Sequence, residues 1–102
     1  MIEENYDLYI QQHQAVIVLF GSLSCHPCQA LKTRLILWQK EHQQVMFQYL
    51  SVDEHTFLAA QHLVLSVPTI VVYINGQETL RQTGYFSLDT MLKKVERYLE
   101  IC

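Results

Sequence analysis

Ala15-Val16-Ile17-Val18-Leu19-Phe20 is an unbroken apolar run, rich in β-branched residues and bounded by Gln14 and Gly21. A strand with one wet face alternates apolar with polar residues. A run that does not alternate is buried on both faces, so it belongs inside a sheet covered above and below. Ile70-Val71-Val72-Tyr73-Ile74 has the same character and stops at Asn75-Gly76. Asn-Gly between two strand-like runs is the strongest short-range signal for a hairpin, which makes Glu78 to Thr83 the returning strand.

The segments between these runs alternate in type. Tyr6, Tyr9 and Ile10 recur at helical spacing within residues 3–13. Leu31, Leu35 and Trp38 form one stripe of a helix from Cys28 to His42. Val45 to Val52 is strand-like, and Thr56 to Val64 is helical by composition. Leu88, Met91, Leu92, Val95 and Leu99 mark the buried stripe of a last helix, with Ser87 or Asp89 near its start as cap. The order α–β–α–β–α–β–β–α implies parallel βαβ pairing plus an antiparallel edge, a mixed four-stranded sheet with helices on both faces. A chain of 102 residues has room for one such domain, 1–102, and a core that needs no staples.

The net charge is −3 and the seven basic residues are scattered. Nucleic acid is therefore not an expected partner, because phosphate binding needs clustered Lys and Arg. Lys93-Lys94 reads as a solvated helix face, and Trp38 and the tyrosines as packing. No apolar run has membrane-spanning length and the acidic, polar start is no secretory leader, so the expected location is the cytoplasm, with the protein a monomer away from membranes.

Cys25-His26-Pro27-Cys28 follows the first apolar run at once, and a third cysteine, Cys102, is the last residue. A Cys-x-x-Cys pair in a cysteine-poor domain serves redox chemistry or metal binding. Its place decides for redox. Where a strand gives way to a helix, unpaired backbone N–H groups and the positive end of the helix dipole favour an anion, so Cys25 should ionise more readily than a free thiol. Cys28, one turn further in, should be less exposed. One sulfur then attacks as thiolate and the other displaces the substrate. Pro27 suits a first helical turn. His26 between the cysteines either tunes the pair, its imidazolium favouring the thiolate and so making the disulfide more oxidising, or is an exposed neutral side chain. Pro68, opening a strand, reads as a loop residue or as part of the site.

With Cys25-His26-Pro27-Cys28 after an apolar strand, Asp53 ending the next, Val67-Pro68-Thr69, the Asn75-Gly76 hairpin and Gly84 before the last helix, the chain resembles the thioredoxin family over nearly its whole length. The resemblance implies a three-layer α/β/α sandwich and a thiol–disulfide oxidoreductase with no cofactor. It implies a cis Val67-Pro68 bond packed against the sulfurs, whose backbone pairs with an extended substrate, and Gly84 lining the same groove. Ser24, Val67, Pro68 and Gly84 are thus the candidate substrate-binding residues. The expected partners are disulfide or dithiol proteins and a thioredoxin-reductase-like or other thiol electron donor. His26-Pro27 resembles the dipeptide of DsbA-type oxidases. Where the family has an aromatic residue before the first cysteine, this chain has Ser24. Where the reductases have a buried carboxylate and a lysine, it has Leu19 and Tyr49, and Thr33 replaces a helix-kinking proline. The usual proton relay for Cys28 is therefore missing, and the family's first strand has no counterpart.

Two rival uses remain at this level. Metal could be held by the cysteines with His13, His42, His55 or His62, but none has the tight spacing of a zinc motif. His55 and His62, seven apart, would share one face of a helix. The other rival is a non-catalytic binding module that keeps the groove and makes no use of its sulfurs.

Overall fold

The computed structural model describes residues 5–101. Cys102 and the first residues of the expected opening helix lie outside them. Four helices and four strands follow in the expected order. They are α1 Tyr6–Gln12, β1 Ala15–Gly21, α2 His26–Lys40, β2 Val45–Ser51, α3 Thr56–Gln61, β3 Thr69–Ile74, β4 Gln77–Thr83 and α4 Leu88–Ile101. The sheet order is β2-β1-β3-β4, with β1 parallel to β2 and antiparallel to β3. Asn75 and Gly76 both take positive φ, 51° and 82°, as a two-residue hairpin turn that matches the strand twist requires. The β3–β4 register shifts between Val72 and Tyr73, which pair with Leu80 and Glu78, so Thr79 is an extra residue on β4.

The unbroken apolar runs are explained by the two cores they separate. Ala15, Ile17 and Leu19 point to one side, with Leu35 of α2 and Leu88, Met91, Leu92 and Val95 of α4. Val16, Val18 and Phe20 point to the other, with Tyr6 and Ile10 of α1 and Ala59 of α3. Helices on both faces leave β1 and β3 no wet side, so no polar residue is needed at alternate positions.

Some boundaries differ from the sequence reading. Helix α2 starts at His26, two residues early, because Cys25 itself caps it, and it ends at Lys40. Asp53 lies in the turn after β2 and is exposed. Helix α3 stops at Gln61, where Leu63 adopts φ 59°. Its N–H bonds the Ala60 carbonyl (3.1 Å) and that of Val64 the Ala59 carbonyl (2.9 Å), the paired bonds that close a helix around a left-handed residue. His55 and His62 therefore flank this helix as its caps and do not share a face of it. At α4, Ser87 Oγ accepts the Thr90 N–H at 3.2 Å, so Ser87 is the cap.

Under the second core, Tyr6 and Tyr73 join their hydroxyls at 2.7 Å, and the His62 ring lies 4.3 Å from that of Tyr6. Burial pushes both phenols above their ordinary range, and for Tyr6 the bond to Tyr73 pushes further. A phenol whose folded pKa is raised stays protonated after its unfolded counterpart has ionised. Stability is therefore fully present below about pH 10 and falls above it, by up to about 1.4 kcal/mol per pH unit for each tyrosine until its folded pKa is passed. Denaturant unfolding at rising pH should show this fall, and a Tyr6→Phe/Tyr73→Phe double variant should lose most of it. Equal slopes in the two proteins would contradict the assignment.

Candidate functional site

β1 and β3 present their ends to one side of the molecule, and the candidate residues collect there. Phe20 of β1 is in register with Thr69 of β3, and Thr69 with Thr83 of β4. The cysteines follow β1, Val67-Pro68 precedes β3, and Gly84 follows β4.

Cys25 and Cys28 are joined as a disulfide, with Cα atoms 5.2 Å apart. Cys25 is the N-cap of α2, and its Sγ accepts the Cys28 backbone N–H at 3.2 Å. Pro27 fits the first turn because a proline there forfeits no helical hydrogen bond. One sulfur is thus held against an otherwise unpartnered donor at the positive end of a 15-residue helix. The two sulfurs differ in access. Cys25 is partly exposed, whereas Cys28 is fully buried beneath the first turn. His26 and Pro27 are exposed on the outer side of that turn.

Val67-Pro68 is a cis peptide bond, with Pro68 buried and Val67 partly exposed. The Gly84 N–H bonds the Pro68 carbonyl at 2.9 Å, which ties the two loops together. Gly84 has φ 78°, and a Cβ there would meet nothing within 4 Å, so backbone conformation and not space favours glycine. Ser24 is exposed and its hydroxyl shares a 3.3 Å bond with that of Ser22. Among the described residues, no three His, Cys, Asp or Glu side chains come together as a metal site. His13 bonds the carbonyl of Tyr9 in α1, His42 that of Trp38 in α2, and His62 lies near Asp7.

Leu19 is fully buried, two residues before Gly21 on the same strand face. What the sequence did not reveal is how Tyr49 uses the space nearby. It stands in parallel register with Leu19, and its ring reaches Gly21 of β1 and the side chains of Gln29 and Lys32 on α2. A Cβ built on Gly21 would stand 2.9 Å from Cys28 Cβ and 2.9 Å from Tyr49 Cε1 and Oη. Gln29 Nε2 donates to the Ser22 carbonyl (3.2 Å) and to Tyr49 Oη (3.4 Å). The available signal was Gly21, a side-chain-free position on the same strand face as Leu19 and beside the larger Tyr49.

The family model described as Thioredoxin matches residues 1–97. A thioredoxin of Mycoplasma genitalium is 37% identical over 70 residues, 69% of each chain. That of Chlamydia caviae is 26% identical over 95 residues, 93% of this chain and 92% of its own. Among solved structures, Plasmodium falciparum thioredoxin superimposes with a TM-score of 0.79 at 29% identity, covering 93% of this chain and 92% of its own.

Proposed function

The chain belongs to the thioredoxin family and is a thiol–disulfide oxidoreductase, and from that premise we propose that Cys25 attacks, Cys28 resolves and His26 sets the potential. The observation that carries this is the unequal placing of two bonded sulfurs. Cys25 is reachable and capped by a backbone N–H, and Cys28 is buried within bonding distance of it. A substrate disulfide meets Cys25 first, forms a mixed disulfide and is displaced by Cys28. A purely binding role would leave this pairing at a helix start without a use.

The partners, as for the family in general, are disulfide-bearing proteins and a reducing thiol system. We assign the substrate groove to Ser24, Val67-Pro68 and Gly84, which sit on three loops at one end of the sheet. The same loops carry Leu23, Leu65 and Tyr85, exposed to 80%, 90% and 99%. Apolar side chains so free of cover favour an extended substrate segment with apolar residues beside its cysteine.

His26 is the test of direction. Its imidazolium beside the ionised sulfur stabilises the dithiol form, so His26→Gly should make the potential of the Cys25–Cys28 couple more negative. A tenfold change in the exchange equilibrium corresponds to about 30 mV, and a shift of at least that size is expected. Titration against glutathione redox buffers measures it. An unchanged potential would remove the tuning role.

A further inference from the structure

The buried Cys28 has a phenol on the far side of Gly21. Tyr49 and Cys28 lie on two sides of the space over Gly21, each 2.9 Å from where a Cβ would be. Tyr49 Oη and Cys28 Cβ are therefore no more than twice that distance apart. Gln29 donates into Oη, which leaves the hydroxyl's own hydrogen to be given elsewhere. Lys32, one turn along α2 from Cys28, holds its ammonium 4.5 Å from the ring centroid and steadies the ring from the helix side.

Cys28 needs such a neighbour at one stage. While Cys25 is bonded to substrate, Cys28 is a buried thiol that must ionise before it can attack, and burial disfavours the anion. Cys25 lies at the cap, His26 on the outer turn, Lys32 on its own helix and Tyr49 on β2. The β1 face offers Leu19 and Gly21, and the start of β3 offers Pro68 and Thr69, none of which titrates.

We propose that the Tyr49 hydroxyl, oriented by Gln29, donates a hydrogen bond to Cys28 Sγ as it ionises and thereby sets the rate of mixed-disulfide resolution. The inference rests on the reading of Cys28 as the resolving sulfur. Cys28 gives its proton to solvent, and its thiolate attacks Cys25 Sγ. The Cys25–Cys28 bond forms as the Cys25–substrate bond breaks. The substrate sulfur leaves with the bonding pair as a thiolate and takes a proton from water. Substrate is reduced, the cysteine pair is oxidised, and Tyr49 keeps its proton throughout.

Reduced protein mixed with one equivalent of an aromatic disulfide that releases a coloured thiolate should show two phases, the first from attack by Cys25 and the second from resolution by Cys28. Tyr49→Phe keeps the ring and removes the donor. It should slow the second phase about tenfold at neutral pH, and raise the midpoint of that phase's pH profile by about one unit, a tenfold effect being one pH unit. The first phase should be unchanged. Gln29→Ala, which leaves the hydroxyl unoriented, should shift the second phase the same way by about threefold, and decides the matter should Tyr49→Phe not fold. A second phase that keeps wild-type rate and midpoint in the variants overturns the role of Tyr49 while leaving Cys28 as the resolving sulfur. A wild-type protein that releases only one coloured thiolate per molecule overturns both.

Discussion

Cys25→Ser is expected to reduce the acceleration of insulin reduction by dithiothreitol to the uncatalysed background, a loss of at least about a thousandfold at pH 7. Cys28→Ser is expected to keep the first attack and stall as a covalent adduct. A serine hydroxyl is not ionised at this pH and forms no S–S bond, so substitution at Cys25 removes the chemistry outright. The fold should survive, because serine is among the preferred N-caps and its Oγ can accept the Cys28 N–H that Sγ now accepts at 3.2 Å. Comparison with reduced wild-type protein keeps the lost disulfide from being counted as a lost fold. Mass spectrometry of the Cys28→Ser protein after exposure to a disulfide peptide should find the peptide on Cys25. Activity retained by Cys25→Ser, or an adduct elsewhere, would remove Cys25 as nucleophile.

The parts of this molecule that were legible in its sequence are those fixed by local chemistry. A strand buried on both faces cannot hide its composition, and Asn75-Gly76 announces its turn by tolerating positive φ. The cysteine spacing gives one turn of helix directly. The parts that were not legible depend on partners far along the chain or on residues acting out of type. Leu63 closes α3 from the left-handed region without being glycine, so composition alone extends the helix to Val64. A sulfur serves as cap of α2, which hid its true start. Tyr6 and Tyr73 meet across 67 residues of sequence. Tyr49 is recognisable as a neighbour of Cys28 only once β2 is set in parallel register against β1 and Gly21 is found between them.

Leu19→Asp separates stability from turnover, with opposite signs. Leu19 is fully buried in β1, in register with Tyr49 on one side and Ile70 on the other, and belongs to the core that Leu35 closes. Losing that side chain and burying a carboxyl without a charge partner should together destabilise by about 4 kcal/mol. Burial holds such a carboxyl above its unfolded pKa of about 3.9, so the folded variant keeps a proton that the unfolded chain has released. Its deficit against wild type should therefore grow as pH rises above about 4, by about 1.4 kcal/mol per unit, and level off past the folded pKa. The same carboxyl, two residues before Gly21 on the strand face that Cys28 covers, is a proton acceptor where the natural chain has none. Resolution by Cys28 should quicken by about tenfold at neutral pH, within the lower range of general base catalysis, while attack by Cys25 is unaltered. Leu19→Asn supplies a similar shape and polarity without a proton acceptor, and should lose stability with no gain in rate. Denaturant midpoints across pH read the first effect, and the slow colour phase from an aromatic disulfide reads the second. A folded Leu19→Asp protein that resolves no faster than Leu19→Asn would show that proton removal from Cys28 does not limit this enzyme.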